Sequence, residues 1–278
     1  MVVGGEYHSA ITNQHSPMLN LNVDDAAAVV TGHSRGLGEA IAAELLARGV
    51  RVLGVARHEN SRLAEQFSSK LQQVKLDLAD SNALTRWLGS ETLRRFLEPA
   101  ESRLLVNNAG VLQPIGPPET QEVEAVWRAV AVNVGAPLML TAAFVHATNQ
   151  AERSERRVLH ISSGAGRKAY AGWSIYCATK AALDHHARCI ALGASPRLLI
   201  SSVAPGVIDT EMQAEIRAST DDHFPERPRF VAMHRDNALP SAAQRAEAIV
   251  EYLLSNGFGS EAVFDLRDLQ RSARGATT

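Results

Sequence analysis

The 278-residue sequence contains only two cysteines, Cys177 and Cys189. Two thiols cannot build a disulfide scaffold, so the sequence favours a reducing, cytoplasmic compartment. Lys and Arg are absent from residues 1–34, which argues against a secretory signal and against an arginine-rich transit peptide. Long apolar runs are also missing: the closest candidate, residues 136–147, is interrupted by polar side chains, and we expect no membrane contact.

Neither sign of charge dominates, because 28 Lys and Arg face 30 Asp and Glu, for a formal net charge of -2. This balance gives no electrostatic reason to expect nucleic acid as a partner. Metal-binding motifs are missing as well. The adjacent His185 and His186 cannot converge on one ion from a helix, and neither H-E-x-x-H nor a paired C-x-x-C occurs, so no metal site is expected.

From residue 26 onward, short apolar segments alternate with longer helical patterns. Strands are predicted at residues 26–31, 50–56, 73–78, 103–107, 157–162, 197–203 and 262–266. Helices are predicted at residues 36–48, 61–71, 82–97, 120–148, 174–192 and 241–254. Continuously apolar strands are typical of a parallel sheet covered by helices on both faces. The pattern therefore predicts an α/β, single-domain, Rossmann-like doubly wound fold with a parallel seven-stranded sheet.

The limits of this domain are predicted at residues 25 and 270. Residues 1–24 show neither alternation nor helical periodicity and are interpreted as an extension outside the core, and residues 271–278 as a tail. Within the domain, residues 209–240 are polar, include Pro225 and Pro228, and show a core face only near residues 212–216. We interpret this segment as a substrate loop, with a surface loop of no function as the alternative.

A glycine-rich turn follows the first predicted strand directly, where residues 31–38 read TGHSRGLG. Glycine permits a tight turn and a close approach of the backbone to a pyrophosphate, and the next helix offers free N–H groups at its N-terminus. The spacing G-x-x-x-G-x-G differs from the G-x-G-x-x-G fingerprint. We predict dinucleotide contacts from Gly32, Ser34, Arg35, Gly36, Leu37 and Gly38.

The second predicted strand indicates which dinucleotide is bound. It ends at Arg57 without the carboxylate that usually holds the ribose 2′-OH of NAD, and Arg35 lies in the glycine loop. Two guanidinium groups suit a 2′-phosphate, because each can form a bidentate pair with phosphate oxygens. The sequence therefore favours NADP(H), with two solvated surface arginines as the alternative.

Tyr176 and Lys180 are four residues apart on a predicted helix, so they share one face. A tyrosine of pKa about 10 is a poor acid–base catalyst at neutral pH, but a nearby ammonium stabilises the phenolate and lowers that pKa. Ser163, at the end of a strand, is placed to hydrogen-bond a carbonyl oxygen. Residues 107–110 read NNAG, and these small residues allow close approach of a ribose and ring.

Together these residues resemble the short-chain dehydrogenase/reductase family over about residues 26–268. The segments GWSIYC at 172–177, APG at 204–206, DTEMQ at 209–213 and AVFDL at 262–266 resemble sepiapterin reductases and bacterial benzil-type diketone reductases. Many family members, including 3-oxoacyl-thioester reductases, end near a D-G-G segment that this chain lacks. That departure argues against a role in fatty-acid synthesis.

The resemblance implies roles for four residues. Ser163 would bind and polarise the carbonyl, and Tyr176 would donate the proton. Lys180 would lower the pKa of Tyr176 and hold the nicotinamide ribose, and Asn133 would support a water in a proton relay. Further implied cofactor contacts are Asp77, Leu78, Asn108, Ala109, Gly110, Tyr176, Lys180, Pro205, Gly206, Ile208 and Thr210. A homodimer or homotetramer is also implied, through the helices at 120–148 and 174–192.

The predicted substrate contacts are Ser163, Tyr176, Cys177, Met212 and Asp265. By resemblance Asp265 would anchor the amino-pyrimidine end of a pterin, because a carboxylate accepts two parallel N–H bonds. The alternative is that Asp265 caps the last strand or pairs with Arg267 or with another basic side chain at the surface.

The sequence predicts an NADP(H)-dependent oxidoreductase acting on a small-molecule carbonyl. It would reduce a ketone, a 1,2-dicarbonyl or a pterin side-chain carbonyl, with Tyr176 as general acid. One alternative is a catalytically silent NADP(H)-sensing protein on the same fold. Another is a reductase of a different ketone class, such as 3-oxoacyl thioesters.

Overall fold

Seven strands form one parallel sheet in the computed structural model, which describes residues 21–149, 155–193, 195 and 197–268. The strands are β1 Ala26–Thr31, β2 Arg51–Ala56, β3 Leu71–Lys75, β4 Ser102–Asn107, β5 Glu155–Ile161, β6 Leu198–Ala204 and β7 Val263–Asp265. Their spatial order is β3-β2-β1-β4-β5-β6-β7, and Val30 of β1 pairs with Gly54 and Val106 of its two neighbours. The order reverses between β1 and β4, which is where doubly wound folds bind ligands beyond the strands' carboxyl ends.

Helices connect these strands. They are α1 Gly36–Ala47, α2 Ser61–Gln66, α3 Ser81–Leu88, α4 Thr92–Leu97, α5 Val123–Val130, α6 Ala136–Thr148, α7 Ser174–Ala191, α8 Glu211–Ala218, α9 Arg227–Arg235 and α10 Ala242–Leu254. A π-helical turn at Ala131–Gly135 joins α5 to α6. Short 3₁₀ turns lie at Val23–Asp25, Pro118–Thr120 and Gly164–Gly166.

Both faces of the sheet are buried, which confirms the predicted fold class. Alternate residues of β1 face opposite sides: Ala28 belongs to the core shared with α1 and α10, and Val29 to the core shared with α4 and α6. Ile41 and Phe144, from the two layers, are each fully buried. Burying such a side chain contributes roughly 1.5–3 kcal/mol each, so the two apolar layers hold the sheet between them.

The segment Val123–Thr148 would, by length and apolar composition alone, be able to cross a membrane. Its second half is instead an interior helix of the domain, because Leu140 and Phe144 of α6 are buried against the sheet. The apolar composition is therefore accounted for by the core.

Several predicted boundaries are wrong. The strand predicted at 73–78 is β3 at Leu71–Lys75, and the helix predicted at 120–148 begins at Val123 and contains the π turn. The helix predicted at 61–71 ends at Gln66, and Leu71 already begins β3, whose partly exposed residues give no continuous apolar run. The helix predicted at 82–97 is two helices, because α3 stops at Gly89, whose N–H caps the Thr85 carbonyl at 3.0 Å. Polar edge strands and single glycine breaks leave weak signals in a sequence.

The predicted substrate loop at residues 209–240 is also more ordered than expected, since it contains α8 and α9. It buries Phe224 and Phe230, which pack against Trp173. The two phenylalanines are too widely spaced in a polar segment to show a periodic core face, so their burial could not be predicted from the sequence.

Most of the extension predicted at residues 1–24, and the whole tail at 271–278, lies outside the described residues. Of the extension, the structure describes residues 21–24, where Leu21 and Val23 pack against the core near α1.

Candidate active site

A cavity of about 560 Å³ opens at the carboxyl ends of the central strands. It is lined by the turns that follow β1, β4, β5 and β6, including Gly32, Asn108, Ser163 and Pro205. Every predicted cofactor residue lines it, from the glycine loop to Thr210. One continuous space therefore joins the predicted dinucleotide half to Tyr176.

The glycine loop forms a cradle with no room for side chains. Gly32 has φ +71°, and a Cβ on Gly38 would lie 2.2 Å from the Gly32 carbonyl oxygen and 2.3 Å from Asn108 Nδ2. Such distances are far below van der Waals contact, so the loop and the start of α1 pack backbone against backbone. The arrangement exposes the backbone N–H groups that a pyrophosphate needs.

Thr31 ties this cradle to the segment after β4. Its hydroxyl accepts hydrogen bonds from the backbone N–H groups of Asn108 and Ala109, each at 3.0 Å. Asn108 Nδ2 donates to the Thr31 carbonyl at 3.0 Å. Sequence reasoning missed Thr31, although a polar residue that ends an otherwise apolar strand was the available signal.

Charged side chains surround the rim of the same half. Arg57 lines the cavity directly after β2, whereas Arg35 is paired with Glu211 at the start of α8. Asp77 pairs with Arg128 of α5 at 3.0 Å. Burial opposes ionisation of Asp77, but the Ala79 N–H and Arg128 outweigh it and hold the pKa below its usual range. Asp77, which the resemblance implies as a cofactor contact, is thus already paired, and Arg128 is a cavity residue that the sequence did not reveal.

Tyr176 and Ser163 meet at the inner end of the cavity, where their hydroxyl groups are hydrogen-bonded. Ser163 follows β5, and Tyr176 lies in the first turn of α7 with only 7% of its surface exposed. Burial raises the pKa of Tyr176 to about 12, and the Ser163 hydrogen bond opposes this shift. The phenol therefore keeps its proton at neutral pH, as a proton donor must.

Burial sets the direction of the Tyr176 pKa shift in this structure, and a lowering of that pKa by Lys180 stays a prediction. The Lys180 ammonium donates to the Ile161 carbonyl at 2.8 Å and lies 5.7 Å from the centre of the Tyr176 ring. Burial also lowers the pKa of Lys180 itself, to about 8. Lys180 is therefore held in place by the backbone of β5 beneath Tyr176.

Asn133 lies in the π-helical turn and is completely buried. Its Oδ1 accepts from the Val111 N–H at 2.8 Å, and its Nδ2 donates to the Val111 carbonyl at 2.8 Å and to Thr179 at 3.2 Å. A Cβ on Gly110 would lie 3.4 Å from Asn133 Oδ1 and 3.6 Å from Lys180 Nζ. The four predicted catalytic residues are thus brought together, with a π turn at the site as often occurs. The water-supporting role of Asn133 stays a prediction.

Aromatic and aliphatic side chains form the outer wall of the cavity. Trp173 stacks on Phe224, with ring centres 4.2 Å apart and planes 11° from parallel, and Phe230 completes the cluster. Met212 packs against this cluster and lines the cavity, as predicted for a wall residue. Phe230 is a wall residue that no sequence motif indicated, and Phe224 is buried against Trp173 outside the lining of the described residues.

Cys177 lies outside the cavity lining of the described chain, contrary to the prediction. It follows Tyr176 on α7, and each helical step turns by about 100°, so the two side chains leave the helix in different directions. Its Sγ lies 3.8 Å from the Lys168 carbonyl, and burial raises the pKa of the thiol.

Asp265 ends β7 and is engaged by Arg267. One carboxylate oxygen accepts from Arg267 Nε at 2.8 Å and the other from Nη2 at 2.6 Å. Within the described residues, Arg267 lines the cavity and Asp265 does not. In the structure Asp265 pairs with Arg267, which is the alternative stated above. The role of Asp265 in anchoring a pterin stays a prediction.

Comparison with known proteins identifies the family. A family profile described as short chain dehydrogenase matches residues 26–221. The chain belongs to the short-chain dehydrogenase family. It is 37% identical over 237 residues to a benzil reductase ((S)-benzoin forming) of Bacillus cereus, covering 83% of this chain and 94% of that protein. It is 31% identical over 264 residues to the sepiapterin reductase of Mus musculus, covering 87% of this chain and 97% of that enzyme.

A solved structure agrees with this placement. The crystal structure of a short-chain dehydrogenase/reductase from Burkholderia vietnamiensis is 46% identical, with a TM-score of 0.65, covering 89% of this chain and all of that one. This short-chain dehydrogenase is therefore an oxidoreductase of a family that binds a nicotinamide cofactor. The glycine cradle of this short-chain dehydrogenase fits such a cofactor, because the Gly32 carbonyl and the Asn108 amide fill the space a Cβ at Gly38 would need, and such a tight turn lets backbone approach a pyrophosphate.

A buried histidine lies behind the site of this short-chain dehydrogenase. His160 of β5 is hydrogen-bonded to Asn107 at 3.1 Å and to His186 of α7 at 3.0 Å. Burial, with His186 and Lys180 acting in the same direction, lowers the pKa of His160 to about 3. His186 is thus hydrogen-bonded to the His160 ring. No group of three metal-ligating side chains occurs in the described part of the chain.

His160 should make folding stability depend on pH. His160 is neutral in the folded state, whereas in the unfolded state it takes up a proton near pH 6.5. Its contribution to the free energy of unfolding is therefore present above that pH and is lost as pH falls toward 3. Between pH 7 and pH 5 this amounts to about 2 kcal/mol. Urea unfolding of wild type and His160→Gln at both pH values should show a smaller pH effect in the variant. Equal pH effects in both proteins would contradict this role for His160.

Proposed function

We propose that this chain is a cytoplasmic NADP(H)-dependent carbonyl reductase whose substrates are ketones, 1,2-dicarbonyl compounds above all. The observation that carries the proposal is the protonated Tyr176 hydroxyl beside Ser163, at the inner end of an apolar cavity continuous with the glycine cradle. The benzil reductase relative supports a substrate with adjacent carbonyl groups, and the sepiapterin reductase relative supports a pterin side-chain ketone as a further candidate.

Ser163 and Tyr176 together bind the substrate oxygen. Ser163 Oγ accepts from the Ala165 N–H at 3.2 Å, which fixes the hydroxyl and leaves its hydrogen available to a carbonyl oxygen. Tyr176 donates a second hydrogen bond and transfers its proton as negative charge develops on that oxygen. When bound, the nicotinamide supplies the hydride. Lys180, held at Ile161, keeps a positive charge beneath the Tyr176 ring at neutral pH, which stabilises the phenolate that remains.

The outer wall supports an aryl or other apolar ketone. Trp173 and Phe230 offer ring faces and edges, and aromatic pairs contribute roughly 0.5–1.5 kcal/mol beyond buried area. The wall also excludes water from the Tyr176 hydroxyl, which strengthens the hydrogen bonds formed there.

The test of this proposal is a substrate panel. Purified protein is given NADPH or NADH with benzil, an aliphatic 1,2-diketone, sepiapterin, a quinone and a 3-oxoacyl thioester, and cofactor oxidation is followed. We expect turnover of the diketones with NADPH and little with the thioester. NADPH binding without oxidation across the panel would favour a cofactor-binding protein instead. Fastest turnover of the thioester would replace the substrate class.

We further propose that the protein is a homodimer or homotetramer joined through the α5–α6 and α7 surfaces. Val123, Trp127 and Val130 are spaced for one face of α5 and are exposed, Val123 to 84% and Trp127 to 58%. Leu192, at the end of α7, is 79% exposed. Large apolar side chains exposed together on helices favour a buried interface.

Replacing Trp127 by Glu should weaken this assembly, since a buried carboxylate would face an apolar partner surface. Light scattering at micromolar concentration should show dimers or tetramers for wild type and a shift toward monomers for Trp127→Glu. Glu124→Gln, on the same helix, provides the control for a changed charge on α5. A monomeric wild-type protein at that concentration would reject the proposal.

A further inference from the structure

The Arg267 side chain forms the cavity wall next to Gly206, and Arg245 lies near the same glycine. A Cβ on Gly206, which has φ +82°, would lie 3.5 Å from Arg267 Cδ and 3.7 Å from Arg245 Nη2. The Arg267 side chain is 51% exposed and lines the cavity. A ligand that extends past the Pro205–Gly206 turn therefore meets a guanidinium group.

The carboxylate of Asp265 is not available at this wall. Besides the two side-chain bonds from Arg267, its Oδ1 accepts the Arg267 backbone N–H at 3.0 Å, and the side chain is only 13% exposed. Arg167 and Arg245 also interact electrostatically with Asp265. An amino group could reach Asp265 only by displacing charge-assisted hydrogen bonds, which are roughly twice as strong as neutral ones.

Arg267 retains donors for a ligand. A guanidinium carries five N–H groups, and Asp265 takes one from Nε and one from Nη2, so three remain. Two parallel N–H groups match a carboxylate in geometry and charge. Three acidic side chains line the cavity in the described ranges: Asp77, Glu211 and Glu215 of α8. Asp77 and Glu211 are paired with arginines.

A row of aromatic rings connects this guanidinium with the proton donor. The ring centres of Tyr176 and Trp173 are 5.5 Å apart, and those of Trp173 and Tyr170 are 5.3 Å apart. Tyr170 and Arg267 both line the cavity. A ketone that places its carbonyl at Tyr176 and its apolar body along Trp173 would carry its far end to Arg267.

We propose that the substrates of this chain are ketones bearing a carboxylate at the end remote from the reacting carbonyl, and that Arg267 binds this carboxylate. The inference rests on the proposed carbonyl reduction and names the substrate class of the same cavity. It assigns to Arg267 the specificity that resemblance had placed on Asp265.

A matched set of substrates tests the assignment: 1-phenyl-1,2-propanedione, its para-carboxylate and its para-trimethylammonium derivative, each with NADPH. The readout is the ratio of kcat/KM for each charged compound to that of the neutral diketone. Wild type should favour the carboxylate and disfavour the cation. In Arg267→Gln the carboxylate ratio should fall by roughly tenfold to hundredfold, the range expected for a lost charge-assisted hydrogen bond, and the cation ratio should rise because Asp265 is released.

Two variants sharpen the comparison. The double variant Arg267→Gln with Asp265→Asn should lose the carboxylate preference without gaining the cation preference, since neither charge remains. Arg235→Gln removes one positive charge from α9, where Arg235 is exposed and paired with Asp236, and should leave the ratios at wild-type values. An unchanged carboxylate ratio in Arg267→Gln would overturn the proposal. The proposal would also be overturned if the single variant Asp265→Asn lost a preference for amino-bearing substrates.

A binding measurement separates this inference from the proposed function. Calorimetry with protein loaded with NADP⁺ gives the Kd of the para-carboxylate diketone without turnover. We expect Arg267→Gln to raise the Kd of the para-carboxylate diketone roughly tenfold or more. The Kd of the neutral diketone should stay close to its wild-type value. If no diketone is reduced but this Kd difference is found, the reduction proposal fails and the carboxylate site stands. If diketones are reduced and the Kd difference is absent, the carboxylate site fails alone.

Discussion

Replacing Tyr176 by Phe is expected to lower kcat for diketone reduction by roughly 10²–10⁴-fold, the usual contribution of a positioned general acid. The variant keeps the ring and its packing with Trp173 at 5.5 Å, and loses only the hydroxyl that is hydrogen-bonded to Ser163. NADPH affinity, measured by fluorescence titration, should change little, because the predicted pyrophosphate cradle lies at Gly32 and Gly38.

Tyr252→Phe is the matched control for this experiment. The Tyr252 hydroxyl is hydrogen-bonded to Ser201 at 2.9 Å in the core beneath β6, so its loss should cost about 1 kcal/mol of stability and leave kcat near wild type. Retention of wild-type kcat by Tyr176→Phe would exclude Tyr176 as the acid. A loss of kcat accompanied by an equal loss of NADPH binding would point to a structural role.

Replacing Arg57 by Ala is expected to raise the Kd of NADPH roughly tenfold to hundredfold and to leave the Kd of NADH almost unchanged. Arg57 directly follows β2, lines the cavity and acts electrostatically on Asp77, so its guanidinium is near the rim where the second strand ends. Only NADPH carries the 2′-phosphate that such a group would bind. Calorimetric titration of both cofactors measures the difference.

Arg35→Ala should have a smaller effect on NADPH than Arg57→Ala, because Arg35 is paired with Glu211 and must give up this pair to bind a phosphate. Arg94→Ala, in the exposed ion pairs of α4, controls for a general loss of positive charge. Equal weakening of NADPH and NADH by Arg57→Ala would show that Arg57 does not contact the 2′-phosphate.

The parts of the site that the sequence predicted are those encoded by local patterns. Gly32 and Gly38 follow an apolar strand, and Tyr176 and Lys180 are four residues apart on a helix, so position along the chain was sufficient to place them. The same is true of the central strands, whose apolar runs coincide closely with β1, β4 and β5.

The parts that it missed depend on contacts between distant segments. Phe230 reaches the cavity wall only because α9 folds back onto Trp173, and Arg128 is brought to Asp77 by the packing of α5. The direction of the Tyr176 pKa shift is another case, since burial exceeds any effect of Lys180 and burial is a property of the folded chain. The pairing of Asp265 with Arg267 was one of two alternatives in the sequence, and the choice between them depends on geometry that a motif does not record.

Single turnover with benzil tests most directly whether the Tyr176 cavity reduces a carbonyl. Wild-type protein loaded with one equivalent of NADPH is mixed with excess benzil, and the absorbance of NADPH and the formation of benzoin are followed together. We expect complete loss of the NADPH absorbance with one equivalent of benzoin formed, and a strongly slowed reaction in Tyr176→Phe. NADPH that stays bound and unoxidised in the wild-type protein would contradict a carbonyl reductase.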